Sequence, residues 1–187
     1  MTRPVRDNAA DRAIGQHWEN QFCAMARLGG KFFTPHQFGR PTEPALFHGT
    51  DSFGKTQWTL PDITIWSAPD EHHEIKHKNP TKDGMYGLER YRLDALVRFA
   101  NVTGQSVYYT IHDWEMAGAD GAGDPVPNDI SHWLVGEIGQ LSHGCTRQGP
   151  GWTYYNGEMK KMPMWFWTAD TSRKYRYFRP LAEVWEI

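Results

Sequence analysis

Residues 60–78 constrain the fold of this chain more than any other stretch. Leu60 to Trp66 alternates in character, a polar turn follows over Ser67 to Glu71 with Ala68-Pro69-Asp70 at its tip, and His72 to Lys78 resumes the alternation. A period of two residues marks strands whose faces meet different surroundings, so a hairpin is expected here. On its first strand Asp62, Thr64 and Trp66 share one face, and Ile63 and Ile65 share the other. On its second strand Glu74, Lys76 and Lys78 share a face while Ile75 points away. Burying the three isoleucines brings Asp62, Glu74 and Lys76 together on the opposite side. Two carboxylates at one point make a hard, oxygen-rich site suited to magnesium or manganese. A lysine beside them can hold or help deprotonate a water, or stabilise negative charge building on a phosphate. Alone, the same residues also describe a solvated face with a surface ion pair; the flanking sequence favours the site.

Upstream, Asp11 to Gly30 reads as a helix. Ile14, Trp18, Phe22, Met25 and Leu28 recur at helical spacing, and Gly29-Gly30 supplies the break. Glu19 lies beside Trp18 at the edge of that stripe, where it either points across at the sheet or is an ordinary flank residue. Downstream, Asn79-Pro80-Thr81 and Asp83-Gly84 make a loop, and Tyr86 to Ala100 reads as a helix with Leu88, Tyr91, Ala95, Leu96 and Phe99 as its apolar stripe. Glu89, Arg90, Arg92 and Arg98 fall mostly on its other faces. Thr103-Gly104 ends it, and Gln105 to His112 follows as a β-branched and aromatic strand.

With this order of helix, strand, strand, helix and strand, the chain resembles the PD-(D/E)xK nuclease superfamily, which includes restriction endonucleases, Holliday-junction resolvases and phage exonucleases. The resemblance spans roughly residues 11–115. It rests on Pro61-Asp62 followed by Glu74-Ile75-Lys76, with the helix carrying Arg90 and Tyr91 directly after. Gly15-Gln16-His17-Trp18-Glu19 is similar to the glutamate-bearing helix of resolvase-type members. The motif is short, and its weight comes from the agreement of order, spacing and flanking elements. The resemblance implies that Asp62, Glu74 and the backbone carbonyl of Ile75 ligate Mg2+ or Mn2+, that Lys76 positions or activates the attacking water, and that Glu19 acts on the metal through water or helps a second ion. The implied chemistry is hydrolysis of a phosphodiester by in-line attack.

Composition agrees with one domain, or one domain plus an elaborated tail: 187 residues, 39% hydrophobic and 14% aromatic, can bury a substantial core. No apolar run is long enough to span a membrane. The first fifteen residues lack an apolar core and carry Asp7 and Asp11, so no secretory or transit segment is expected. Cys23 and Cys145 have no metal-ligand spacing, and a reducing cytoplasmic setting is the simplest expectation. No histidine set reproduces a zinc spacing, although His72, His73 and His77 flank the hairpin site. Neither a Gly-rich phosphate loop nor a Gly-x-Ser-x-Gly elbow is present, which argues against an ATPase, a Rossmann enzyme or a serine hydrolase.

The net charge of −2 is not that of a protein that coats DNA, but the charge is unevenly spread. Lys160, Lys161, Arg173, Lys174, Arg176 and Arg179 interleave with Trp165, Phe166, Trp167, Tyr175, Tyr177 and Phe178. Such a stretch either contacts phosphates and bases or forms amphipathic strands with rings in the core and cations in solvent. Lys78, Lys82, Arg90 and Arg92 would supply positive surface near the site. Ala117 to Asp129 reads as a flexible loop, Asn128 or Asp129 as the cap of a helix on Ile130, Trp133, Leu134, Ile138 and Leu141, and Gly144 to Gly151 as a second loop. That helix would close the core or form a homodimer face. Trp152 to Tyr155, Met162 to Thr168 and Tyr175 to Phe178 read as strands, with Asn156-Gly157 a turn and Pro163 calling for an edge position.

The expectation is therefore an α/β protein: a central mixed β-sheet flanked by helices, restriction endonuclease-like, over residues 1–115, with a C-terminal helix and β extension over 116–187 packed on it. The expected function is metal-dependent cleavage of DNA, with RNA left open, by an endonuclease of resolvase, repair or restriction type; a small stand-alone nuclease suits a phage. The rivals are a non-catalytic nucleic-acid-binding module that retains the fold and a structural protein whose hairpin charges are surface pairs.

Overall fold

The computed structural model describes residues 8–36, 48–50, 56–113, 130–155, 158–169 and 177–186. Helix α1 (Asn8–Leu28) opens the chain and ends at Gly29-Gly30, where Gly30 takes a positive φ of 68° and Lys31 N–H closes back on the Ala26 carbonyl. Strand β1 (Phe32–Pro35) and a small hairpin of β2 (His48–Thr50) and β3 (Thr56–Thr59) lead to β4 (Ile63–Trp66) and β5 (Glu71–Lys78). Next come β6 (Met85–Glu89), α2 (Arg90–Thr103) and β7 (Ser106–Asp113). A 3-10 turn at Ile130–His132 precedes β8 (Trp133–Glu137) and α3 (Ile138–Ser142). The chain finishes with β9 (Arg147–Tyr155), β10 (Glu158–Thr168), β11 (Arg179–Pro180) and α4 (Leu181–Trp185). Among the described residues no helix is long and apolar enough to cross a membrane.

The central sheet has six strands in the order β1-β4-β5-β7-β8-β11. It is mixed, because β5 and β7 run parallel while every other neighbouring pair is antiparallel. Helix α2 makes the parallel crossover, and Gly104 (φ 67°) caps it with its N–H on the Ala100 carbonyl. Alternation along the strands fills two cores. On one face Ile63, Ile65, Ile75, Trp133 and Val135 pack on Trp18, Phe22 and Met25 of α1 and on Trp185 of α4. On the other, Val107, Tyr109, Ile111 and Leu134 pack on Leu93, Leu96 and Phe99 of α2, with Trp167 and Phe178. The fold class matches the sequence expectation.

Three local expectations are corrected. Met85–Glu89 is a strand rather than the first turn of the following helix, because β6 pairs antiparallel with β10 from Met85↔Thr168 to Glu89↔Met164. The helix read over Ile130 to Leu141 is a 3-10 turn, a strand and one short helix, since Trp133–Glu137 takes its hydrogen bonds from β7 and β11. Short apolar runs satisfy helix and strand templates alike, and the available partner decides. The expected loop at Gly144 to Gly151 becomes strand from Arg147, paired with β10.

Pro163 lies in the middle strand of the three-stranded sheet β6-β10-β9, yet in the part of it that β6 does not reach, so its missing N–H breaks no ladder on that side. The stretch read as an extension supplies β8 and β11 to the central sheet. The loop at 117–129 with its Asn128 or Asp129 cap, the Asn156-Gly157 turn and Arg173 to Arg176 lie outside the described residues.

Candidate active site

The β4–β5 hairpin pairs antiparallel with Ile63↔His73 and Thr64↔His72. Asp62 stands just before β4, and its Oδ2 accepts the Ile75 backbone N–H at 2.7 Å, tying the two strands beyond their last pair. Lys76 Nζ lies 2.6 Å from Glu74 Oε1, 2.9 Å from the Ile75 carbonyl and 3.5 Å from Asp62 Oδ2. An ammonium has three protons to donate, and here it faces three oxygens. Glu74 and Asp62 are almost wholly buried, and the Lys76 side chain is 28% exposed. Two anionic groups survive at such depth only with cations against them.

A second cation completes the set. Arg92, in the first turns of α2, is ion-paired with the same Glu74 Oε1. Burial is the largest influence on Glu74 and pushes its pKa up, but Arg92 and Lys76 together outweigh it and the net shift is down. Asp62 goes the other way: burial first, then the Glu74 charge, push it up to about 6. Burial would lower the Lys76 pKa, yet the facing carboxylates raise it overall, and Glu74 raises that of Arg92. Glu19 sits close enough for the charges of Asp62, Lys76 and Glu74 to act on it. Burial, then Asp62, push its carboxyl up to about 7.

The oxygens present suit a divalent ion. The Asp62 and Glu74 carboxylates and the Ile75 carbonyl already converge on one cation, the Lys76 ammonium. Glu74 Oε2 is buried with no hydrogen-bond partner, an acceptor that a metal would satisfy. Among the described residues no three His, Cys, Asp or Glu side chains group to hold a metal, so the donor set is two carboxylates and a carbonyl, leaving the remaining positions of a magnesium shell to water and substrate.

Of the cations expected to meet nucleic acid, Lys82, Arg90, Lys160 and Lys161 are exposed. Arg90 reaches Asp94 at 3.9 Å across the surface of α2. Lys78 turns inward, donating to the Gly87 carbonyl at 2.6 Å, and Arg92 is engaged with Glu74. Arg173 and Lys174 lie outside the described residues. Most of the described rings expected to interleave with them fill the core: Phe166, Trp167 and Phe178 are buried. The second reading of that stretch, rings inward and cations outward, is the one observed for the described residues.

Two residues have roles that the sequence does not reveal. Arg92 was placed on the helix surface because only the packing of α2 reveals that it faces the sheet. Glu89, counted as a helical flank residue, is buried immediately before α2 and accepts a hydrogen bond from Thr153 of β9. Burial alone would raise the Glu89 pKa, but Lys78 and the Thr153 hydroxyl bring it down to about 2. Of the histidines beside the hairpin site, His73 Nδ1 lies 2.8 Å from Thr110 Oγ1, and His77, together with His112, stacks on Trp18.

No family model matches the chain, and no curated protein matches it. Among solved structures, the chain is similar to Hjc, a Holliday junction resolvase from the archaeal hyperthermophile Archaeoglobus fulgidus, with 14% sequence identity, a TM-score of 0.49, and coverage of 91% of this chain and 99% of the resolvase.

Proposed function

We propose that this protein is a divalent-metal-dependent nuclease that hydrolyses DNA phosphodiester bonds, an endonuclease of resolvase, repair or restriction type. The observation that carries this reading is the convergence of the Asp62 and Glu74 carboxylates and the Ile75 carbonyl on the Lys76 ammonium. A divalent ion held there, Mg2+ or Mn2+, supplies charge neutralisation at the phosphate and a water of lowered pKa. Asp62 and Glu74, with the Ile75 carbonyl, would hold it. Lys76, on β5 beside these oxygens, would hold the attacking water or a phosphate oxygen. Arg92 keeps Glu74 ionised and aimed. Glu19, which the charges of Asp62, Lys76 and Glu74 reach, would act on the metal through a water or help a second ion.

The test is cleavage of supercoiled plasmid, linear duplex, single strand and four-way junction with Mg2+ or Mn2+, using wild type, Glu74→Gln and Lys76→Ala. Metal-dependent cutting by the wild type, lost in both variants, is the expected outcome. A wild type that binds DNA in a salt-sensitive way but cuts none of these is a binding module. One that neither cuts nor binds removes the basis for the proposal.

A further inference from the structure

Strands β9 and β10 pair from Arg147↔Phe166 to Tyr155↔Glu158, whereas β6 reaches only Met164–Thr168. Residues 158–163 and their partners 150–155 therefore continue past the three-stranded sheet as a two-stranded ribbon. Register and alternation put Gln148 with Trp165, Pro150 with Pro163 and Trp152 with Lys161, all on one face. Along this face runs a groove of about 520 Å³ lined by Gln148, Pro150, Lys161, Pro163 and Trp165, with Arg90 of α2 also on its wall. Two cations and no acid are among its lining residues. Trp152, at the next pair outward, is 63% exposed.

The opposite face of the ribbon is tied to the site. Thr153 donates its hydroxyl to Glu89, immediately before α2, and the first turns of α2 carry Arg92 to Glu74. The ribbon and the Asp62–Glu74 cluster are thus joined through Glu89 and the first turns of α2, the helix that also carries Arg90 to the groove.

We propose that this ribbon face binds an unpaired stretch of DNA and presents the adjoining phosphodiester to the site. An exposed indole and a proline-lined groove give flat apolar surfaces on which bases stack, and Arg90 and Lys161 answer the phosphates. Duplex DNA keeps its base faces inside its own stack and leaves Trp152 without a partner. The substrate class is therefore DNA with a single-stranded segment next to the cut. The cleavage consequence rests on the nuclease reading above; the binding does not.

The two are separated by measuring binding in EDTA. Fluorescence anisotropy with labelled oligo(dT) and a blunt duplex would compare wild type, Trp152→Ala, Trp152→Phe and Lys161→Glu. Trp152 is exposed, so its replacement leaves folding intact, which circular dichroism checks. The expected result is an oligo(dT) affinity lower by about tenfold or more in Trp152→Ala, restored by Trp152→Phe, with duplex binding little changed. Lys161→Glu should weaken oligo(dT) binding and flatten its salt dependence. No oligo(dT) binding by the wild type, or affinity unchanged in both Trp152→Ala and Lys161→Glu, overturns the proposal. Trp152-dependent binding by a wild type that cuts no DNA with Mg2+ leaves the proposal standing and removes the nuclease reading.

Discussion

Strand β5 has two buried faces of opposite character. Toward α1 it presents Ile75, which joins Ile63 and Ile65 in a core of aliphatic and aromatic side chains. Toward α2 it presents Glu74, beside Asp62, Lys76 and Arg92. Packing explains the first: burying an isoleucine stabilises a fold by about 1.5–3 kcal/mol. It does not explain the second. Desolvating several charges offsets most of what their attraction returns, and apolar residues of similar volume often do as well or better. One face holds the sheet together. The other keeps a charged cluster that burial alone does not reward, and the proposed chemistry would give a reason to keep it.

The largest effect that separates the faces is on catalysis. Glu74→Gln should lower metal-dependent cleavage by about a hundredfold or more, while Ile75→Ala, assayed well below its melting temperature, should stay within a few-fold of wild type. A charged face that is merely structural would give equal activities. Urea unfolding should then reverse the order of concern: Ile75→Ala leaves a cavity in a filled core and should cost about 2–5 kcal/mol.

Arg92→Met should cost less, about 1–3 kcal/mol. Breaking a fully buried ion pair costs about 3–5 kcal/mol, but the Arg92 side chain is one-third exposed and Lys76 still faces Glu74. The smallest effect is a pH dependence. Glu19 is raised from 4.5 to about 7 in the fold, so its contribution to stability is fully present below pH 4.5 and is lost as pH rises through about 7. The wild type should therefore lose melting temperature relative to Glu19→Gln between pH 5 and 8 in EDTA, with the histidine contributions cancelling in the difference. A difference that stays flat would mean that neither burial nor the Asp62 charge raises the Glu19 carboxyl.

The same contrast explains what was legible in the sequence. The β4–β5 hairpin could be read because its alternation is local and its turn is short, and the faces of Asp62, Glu74, Lys76 and the three isoleucines follow from register alone. Strands β6 and β8 could not. Leu88 fits a helical stripe as well as a strand, and Met85–Glu89 is extended only because β10, far along the chain, pairs with it. Trp133–Glu137 likewise takes its conformation from β7 and β11. Arg92 could be named as a cation near the site, but its pairing with Glu74 could not be read, since a helical position alone does not tell which strand it will meet. Local periodicity carried the hairpin; long-range pairing and the docking of α2 carried the rest.

The central claim is that the charged face of β5 is a divalent-cation site built from the Asp62 and Glu74 carboxylates and the Ile75 carbonyl, the oxygens that meet the Lys76 ammonium. Titrating Mn2+ into wild type, Asp62→Asn and Lys76→Met, with free Mn2+ followed by electron paramagnetic resonance, tests it most directly. The account predicts saturable binding to the wild type, strongly weakened binding in Asp62→Asn, and tighter binding in Lys76→Met, where the competing ammonium is gone. Binding indifferent to Asp62, or no binding even after Lys76 is removed, would contradict it.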